Sequence, residues 1–233
     1  MPRTAAAIVA FVKTPGLSPI KTRLAVGMGV AAAEEFYGLS VAAVEATLRE
    51  VASATGAKAY WAVAEDLGMN HSRWEKFSRL YQGSGDLGSR LDNIFSQLTM
   101  EYSVVIGVGA DAPQLSPACL VSALATLSDP QSRKSFVVGK CYDGGFYLIG
   151  TNRELPRTVW ESTPYSVNST AERLLAELTP RGEVQLLDTL TDVDEIGNLS
   201  DLHRELVALK SPHLAQQRLL EWLRRPEHAC LYL

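Results

Sequence analysis

The chain lacks an apolar run long enough to span a bilayer, which needs about 20 residues. The nearest approach is AAAIVAFV at positions 5–12, and Lys13 follows it at once. A first β-strand fits that pattern better than a signal peptide or a membrane helix. It also lacks an excess of positive charge. With 22 Lys and Arg against 26 Asp and Glu, the net charge is −4. That excludes broad nucleic-acid binding and leaves room only for a small local cationic pocket. Cysteine is scarce: Cys119, Cys141 and Cys230 are far apart, odd in number, and form no C-x-x-C pair or zinc spacing. No disulfide framework is implied, and a reducing cytoplasm is the expected compartment. The four histidines, His71, His203, His213 and His228, show no ligand spacing, so capping or surface roles are expected. The loop after the first strand holds no P-loop and no dinucleotide fingerprint, and no G-x-S-x-G nucleophile motif stands out.

What is present is an ordinary globular composition, 46% hydrophobic and 21% charged over 233 residues. One α/β domain over residues 1–225, with a loose tail at 226–233, is the economical organisation. Apolar runs and helical periodicity alternate through the first half, which predicts a parallel sheet. Strands are expected at 5–12, 57–64, 80–82 and 104–108. Helices are expected at 30–53, from His71, and at 87–100 and 117–127. Two strands at 135–139 and 146–150 flank the turn KCYDGG and predict local antiparallel pairing. A helix at 170–178, a strand at 183–187 and helices at 199–209 and 213–224 follow. Trp61, Trp74, Trp160 and Trp222 are expected in the core.

The chain is organised around VVIGVGADAPQLSP at 104–117. Its apolar start reads as a central strand buried on both faces. Asp111 follows directly, and Pro117 suits the first turn of the next helix with Ser116 as N-cap. A carboxylate at the carboxyl end of such a strand stands where open α/β sheets bind ligands. It can hold a divalent cation against a phosphate, or simply shape the loop. Four further stretches carry chemistry. In KTPGLSPIKTRL at 13–24, Lys13, Lys21 and Arg23, with Gly16 and Pro19 shaping the loop, suit a di- or triphosphate, or form a solvated basic loop. In GSGDLGSR at 83–90, a helix N-terminus with glycines can receive an anion near Arg90, while Asp86 is an equally good N-cap. In YDGGFYLIGTN at 142–152, Gly144 and Gly145 permit a turn or a close backbone approach. Asp143 could there orient or deprotonate an acceptor hydroxyl. In DTLTDVDEIGNL at 188–199, Asp192 and Asp194 share one side of an extended segment. One of them could complete a metal site with Asp111, or both could simply precede a helix.

Taken in order, the stretches KTPGLSPIKTRL, QGSGDLGSR, GADAP, DGGFYLIG and TDVD resemble a bacterial family of the GT-A superfamily, the nucleotide-diphospho-sugar transferases. The resemblance spans residues 6–202. Ser18 stands where that family has a loop glycine and is followed by Pro19. Gln114 replaces an acid, and Phe146 replaces a Tyr. The strict glycine-rich loop of sugar nucleotidylyltransferases is absent. The resemblance implies a three-layer α/β/α sandwich with a mixed, mostly parallel sheet, binding a nucleotide at the carboxyl end of its strands. It implies Mg²⁺ or Mn²⁺ held by Asp111 with Asp194 or Asp192, and Lys21, Arg23 and Asp143 as catalytic groups. Lys13, Gly16, Lys21, Arg23, Asp86, Arg90, Gly144 and Gly145 would surround the nucleotide. The expected activity is metal-dependent transfer from a nucleotide-activated donor to a small-molecule acceptor. Nucleotidyl transfer from a nucleoside triphosphate to a small phosphorylated acceptor is the alternative, and a non-catalytic nucleotide-binding module is a third.

Overall fold

The computed structural model describes residues 4–231, with side chains from residue 6 onward. Seven strands form one sheet: β1 (Thr4–Val12), β2 (Lys58–Val63), β3 (Ser78–Tyr81), β4 (Tyr102–Gly109), β5 (Lys134–Lys140), β6 (Phe146–Thr151) and β7 (Glu183–Leu186). Their spatial order is β3-β2-β1-β4-β6-β5-β7. All neighbours pair in parallel except at β6, which runs antiparallel to both β4 and β5. This is the mixed, mostly parallel sheet that the sequence predicts.

The helices are α1 (Thr22–Met28), α2 (Val30–Thr55), α3 (Leu87–Glu101), α4 (Pro117–Ser128), α5 (Arg157–Glu161), α6 (Thr170–Leu178), α7 (Asn198–Ala208), α8 (Leu214–Leu223) and α9 (Pro226–Ala229). Side chains alternate across a strand, so β1 feeds two cores. Ile8, Ala10 and Val12 join Val41, Val44 and Leu48 of α2 and Leu120 and Leu124 of α4 on one face. Ala7 and Val9 join Leu91, Ile94 and Phe95 of α3 and Trp160 of α5 on the other. A third cluster packs Phe36 of α2 and Leu24 of α1 against α7 and α8, with Trp222 at its centre. The result is helix, sheet and helix in three layers. All four tryptophans are fully buried. No helix among the described residues is long and apolar enough to cross a membrane.

Several segments differ from expectation. The cationic loop ends early, because α1 begins at Thr22 and buries Leu24. The helix expected from His71 is instead a pair of 3-10 turns, Asp66–Asn70 and Ser72–Trp74, before β3 starts at Ser78. Tertiary packing decides this: Trp74 stacks edge-on against Trp61 at 5.3 Å and donates its indole N–H to Thr14 Oγ1 at 3.0 Å. The short α5, which buries Val159 and Trp160, carries no period long enough to read. The segment expected as a tail is helical over Pro226–Ala229, and His228 stacks on Trp222 at 3.7 Å. His228 is therefore a buried packing residue; the last two residues of that tail lie outside the described ones.

Candidate functional site

From β1 the chain moves first to β2 on one side and later returns to β4 on the other. The carboxyl ends of β1 and β4 thus form the point where the strand order reverses, the usual ligand crevice of an open α/β sheet. Phe11 and Gly109 are register partners there, so the loop from Lys13 and the turn carrying Asp111 leave the sheet side by side.

Lys21 is the centre of the site. Its ammonium lies 3.2 Å from Asp111 Oδ1, 3.3 Å from Asp192 Oδ1 and 3.2 Å from Asp194 Oδ1, and its side chain is only 4% exposed. Arg23 reaches Asp194 Oδ2 from outside at 3.5 Å. Burial alone would depress the Lys21 pKa, but attraction to the three carboxylates outweighs it and holds the ammonium charged far above neutrality. Asp192 feels the opposite pressure. Burial and the neighbouring acids push its pKa up to about 7, against the pull of Lys21. Lys21 also adopts a left-handed backbone, φ 43 and ψ 47, as the residue before α1. For a residue with a Cβ this costs roughly 1–2 kcal/mol.

Two regions far apart in sequence are locked together to make this cluster. Leu190 N–H donates to Lys140 O at 3.0 Å, and Tyr142 N–H donates to Leu190 O at 3.2 Å, which pins the segment after β7 beside β5. Gln114, just past the Asp111 turn, donates to Thr191 O at 2.7 Å and to Glu205 Oε2 at 2.8 Å. Thr191 Oγ1 donates to Glu205 Oε1 at 2.7 Å. Asn198 Oδ1 accepts from the Asp194 N–H at 3.2 Å and the Glu195 N–H at 2.9 Å. On the other side the Tyr37 hydroxyl accepts from Lys13 N–H at 2.8 Å and donates to Lys13 O at 2.9 Å. Sequence reasoning missed Gln114, Thr191, Glu205, Asn198 and Tyr37 as positioning residues. The one available signal was Gln114, the departure from an acidic pattern.

Two cavities open at this edge. One, about 560 Å³, is lined by Lys13, Lys21, Arg23, Gln82, Arg90 and Asp111 among others. The second, about 440 Å³, is floored by Phe11, Leu91, Phe146, Ile149 and Tyr165, with Asp143, Asn168 and Asp192 at its rim. Arg23 and Asp194 line both. Lys21, Arg23, Asp111, Asp192 and Asp194 thus meet, with Lys13 and Arg90 on the first cavity and Asp143 and Gly145 on the second. Asp143 Oδ1 accepts from Gly145 N–H at 2.9 Å, which shapes the turn. Asp86 caps α3, its Oδ1 accepting from Ser89 N–H at 2.9 Å, and lines neither of the two. Gly16 lines a separate shallow cavity beside Val26 and Val30. Gly144 faces the Asn168 backbone, where a Cβ would collide with the carbonyl.

The acids converge on an ammonium, and among the described residues no group of three or more His, Cys, Asp or Glu is already arranged as a metal site. The donor chemistry nonetheless fits a hard divalent cation. Asp111 Oδ1 is buried, with the Lys21 ammonium 3.2 Å away. Three carboxylates outnumber the two cations they touch, and carboxylate oxygens are the ligands Mg²⁺ prefers. Lys21 would have to yield part of its place.

The fold is shared with known structures. A protein from Desulfovibrio desulfuricans G20, provisionally named a nucleotide-diphospho-sugar transferase, is 22% identical with a TM-score of 0.83, and 98% of each chain is covered. The 4-diphosphocytidyl-2C-methyl-D-erythritol synthase of Anaerococcus prevotii DSM 20548 is 12% identical with a TM-score of 0.51, over 95% of this chain and 99% of that one. No curated protein matches. A family model, "Uncharacterized protein conserved in bacteria (DUF2064)", matches residues 46–167. That stretch contains β2 to β4, the Asp111 turn and the Asp143 turn, and on it the chain belongs to the bacterial DUF2064 family.

Proposed function

We propose that this protein is a metal-dependent nucleotide-diphospho-sugar transferase, moving a glycosyl group from a nucleotide-sugar donor to a small-molecule acceptor. One observation carries the proposal: the Lys21 cluster stands beside two cavities that share Arg23 and Asp194 as a common wall. One cavity is cationic and suits the nucleoside diphosphate; the other is apolar with a carboxylate at its rim and suits an acceptor.

In this reading the donor's phosphates lie against Lys13, Lys21 and Arg23, with its sugar directed to the shared wall. The acceptor hydroxyl oxygen forms the new bond to the anomeric carbon. The anomeric carbon–oxygen bond to phosphate breaks, and its electron pair leaves with the nucleoside diphosphate. Asp143, at the rim of the acceptor cavity, takes the hydroxyl proton. Lys21 and Arg23 stabilise the charge that builds on the departing diphosphate. Because Lys21 stays protonated, it acts as a fixed positive charge and not as a base. Asp111, Asp192 and Asp194 would hold Mg²⁺ or Mn²⁺, which when bound adds charge neutralisation at the phosphates.

The test is a turnover screen of nucleotide sugars and nucleoside triphosphates with Mg²⁺ or Mn²⁺, with nucleoside diphosphate and pyrophosphate measured separately. Nucleoside diphosphate release supports glycosyl transfer; release of pyrophosphate alone overturns it in favour of nucleotidyl transfer. Calorimetry gives the second arm. Asp111→Asn is expected to abolish metal-dependent nucleotide binding while leaving the unfolding midpoint nearly unchanged. Arg23→Ala is expected to weaken nucleotide binding. If Asp111→Asn binds as wild type does, with metal and with chelator, the metal site is wrong.

A further inference from the structure

The cavity of about 440 Å³ is an open edge of the core. Phe11, Phe146 and Tyr165 line it and pack from there against the cluster that holds Leu91, Ile149 and Trp160. Each of the three rings is only half-buried. Leu87 and Val167 stand at the same cavity, 45% and 44% exposed. Apolar residues scattered singly on a surface need no explanation, but a ring of them around one concavity marks a place for an apolar group. This concavity lies against the acids and the arginine of the Lys21 cluster.

Hydroxyls along its wall are committed to the protein. Tyr165 donates to Trp160 O at 3.1 Å, and Tyr147 donates to Asp188 O at 3.0 Å. Thr170 Oγ1 has one proton for Pro164 O at 2.9 Å and Val167 O at 2.8 Å, and it accepts from Val167 N–H at 3.4 Å. The same bonds fix the turn at 164–167, where Ser166 holds a φ of 60. A residue with a Cβ keeps that conformation only where its surroundings hold it there, and ligand clamps are a common setting. The aromatic wall is therefore preformed. Asp143, Ser166 and Asn168 are exposed at the rim, so polar recognition is confined to one side of an apolar floor.

Resting on the glycosyl-transfer reading of this site, we infer that the acceptor is a compact aromatic alcohol, its ring lying on Phe11, Phe146 and Tyr165 and its hydroxyl projecting to Asp143. Aromatic rings pack well edge-on or offset against one another, which suits a floor made of three of them. A sugar acceptor brings several hydroxyls out of water, and those over the floor would be left without partners. The volume lies toward the small end of the roughly 300–1,000 Å³ usual for small-molecule pockets, which suits a compact body over a long acyl chain. In the transfer step the alcohol oxygen forms the bond to the anomeric carbon and its proton passes to Asp143. The anomeric carbon–oxygen bond to phosphate breaks, and its electron pair leaves with the nucleoside diphosphate.

The experiment has two readouts on the full chain. Nucleoside diphosphate release is measured with Mg²⁺ over a panel of nucleotide sugars, with phenethyl alcohol, octanol or glucose as the acceptor. Saturation-transfer NMR measures binding of the same three alcohols without nucleotide. Phenethyl alcohol is expected to exceed glucose in kcat/KM by about tenfold or more and to show saturation at its ring protons. Phe146→Ala should raise KM for phenethyl alcohol more than KM for the donor and weaken the saturation. Val167→Asn, at an exposed rim position, should do the same and keeps the test open if Phe146→Ala does not fold. Glucose turned over as well as phenethyl alcohol, or wild-type turnover and saturation in the variants, overturns the aromatic acceptor and leaves glycosyl transfer standing. Octanol preferred to phenethyl alcohol overturns it in favour of an acyl-chain alcohol. Saturation of phenethyl alcohol with no nucleoside diphosphate released from any nucleotide sugar overturns glycosyl transfer and leaves an aromatic-binding cavity. Neither saturation nor release overturns both.

Discussion

Replacing Lys21 with Met removes one charge from a site that was built around it. The apolar stem is retained, so the loss is electrostatic. Three carboxylate oxygens stand 3.2–3.3 Å from the ammonium. At 3.2 Å a single pair is worth about 1.3 kcal/mol in bulk water and about 5 kcal/mol at an effective dielectric of 20. The acids keep 28–44% of their side-chain exposure, so solvent screens what is left behind. Breaking a fully buried pair from one side costs about 3–5 kcal/mol. Discounted for that exposure, Lys21→Met is expected to lose about 2–3 kcal/mol at pH 8. The sign of the pH effect follows from Asp192. Its pKa already stands at about 7 in the folded chain, and removing Lys21 takes away the attraction that holds it down. A carboxyl whose folded pKa is raised favours folding in its protonated form. The deficit of the variant is therefore full only above its own, further raised Asp192 value, and it narrows as pH falls from there to about 7, below which Asp192 is protonated in both folded chains. Urea unfolding at pH 8 and pH 5 reads this directly, with the midpoint shifting and the slope unchanged. A variant as stable as wild type at pH 8, or one equally impaired at both pH values, refutes the electrostatic account.

Two further outcomes are expected. His213 Nδ1 accepts from Gln216 N–H at 3.3 Å to cap α8, and burial lowers the His213 pKa. The stability this contributes is present above the unfolded histidine value of about 6.5 and lost as pH falls below it. His213→Asn, which keeps a capping side chain, should flatten the thermal-stability profile between pH 7 and pH 5, and an unchanged slope would exclude His213 as its source. Gly144→Ala meets both a φ of 90 and the Asn168 carbonyl, so a loss of about 2 kcal/mol or more is expected. Gly16→Ala, at φ 82 with open space around it, should cost less than Gly144→Ala in the same denaturant titration.

Local pattern made most of the scaffold legible. The apolar run at 104–108 reads as a strand buried on both faces and lies within β4, and Ser116 with Pro117 marked the start of α4, where Ser116 Oγ accepts from Cys119 N–H at 3.2 Å. Thr170–Leu178 matched its expected bounds because its apolar face has a clear helical period. What failed was context-dependent. Around Trp74 the helical pattern lost to burial against Trp61, and His228 packed where its neighbours looked like a polar tail. At the site, residue type was readable but partnership was not. Lys21 was legible as a cation for phosphate, while nothing local told that three acids from two distant loops would enclose it. Asp86 shows the converse, since its sequence context fits a cap and an anion site equally and the structure places it as the cap of α3.

The enclosure of Lys21 also explains why the site depends on Gln114 and Glu205, neither of which lines its two cavities. Asp111 belongs to the turn after β4, and Asp192 and Asp194 belong to a segment that lies outside the strands and, among the described residues, meets the sheet through one isolated bridge, Cys141 to Leu190. Without a tie between them, like charges would drive the segment after β7 away from the Asp111 turn. Gln114 supplies that tie by donating to both Thr191 O and Glu205 Oε2, and Glu205 in turn accepts from the Thr191 N–H and hydroxyl. An acid at position 114 would place a carboxylate against Glu205 and a carbonyl, three acceptors with no donor between them. The amide at 114 is thus matched to the glutamate at 205. The pair holds the acids within reach of one cation at a cost that the buried hydrogen bonds offset.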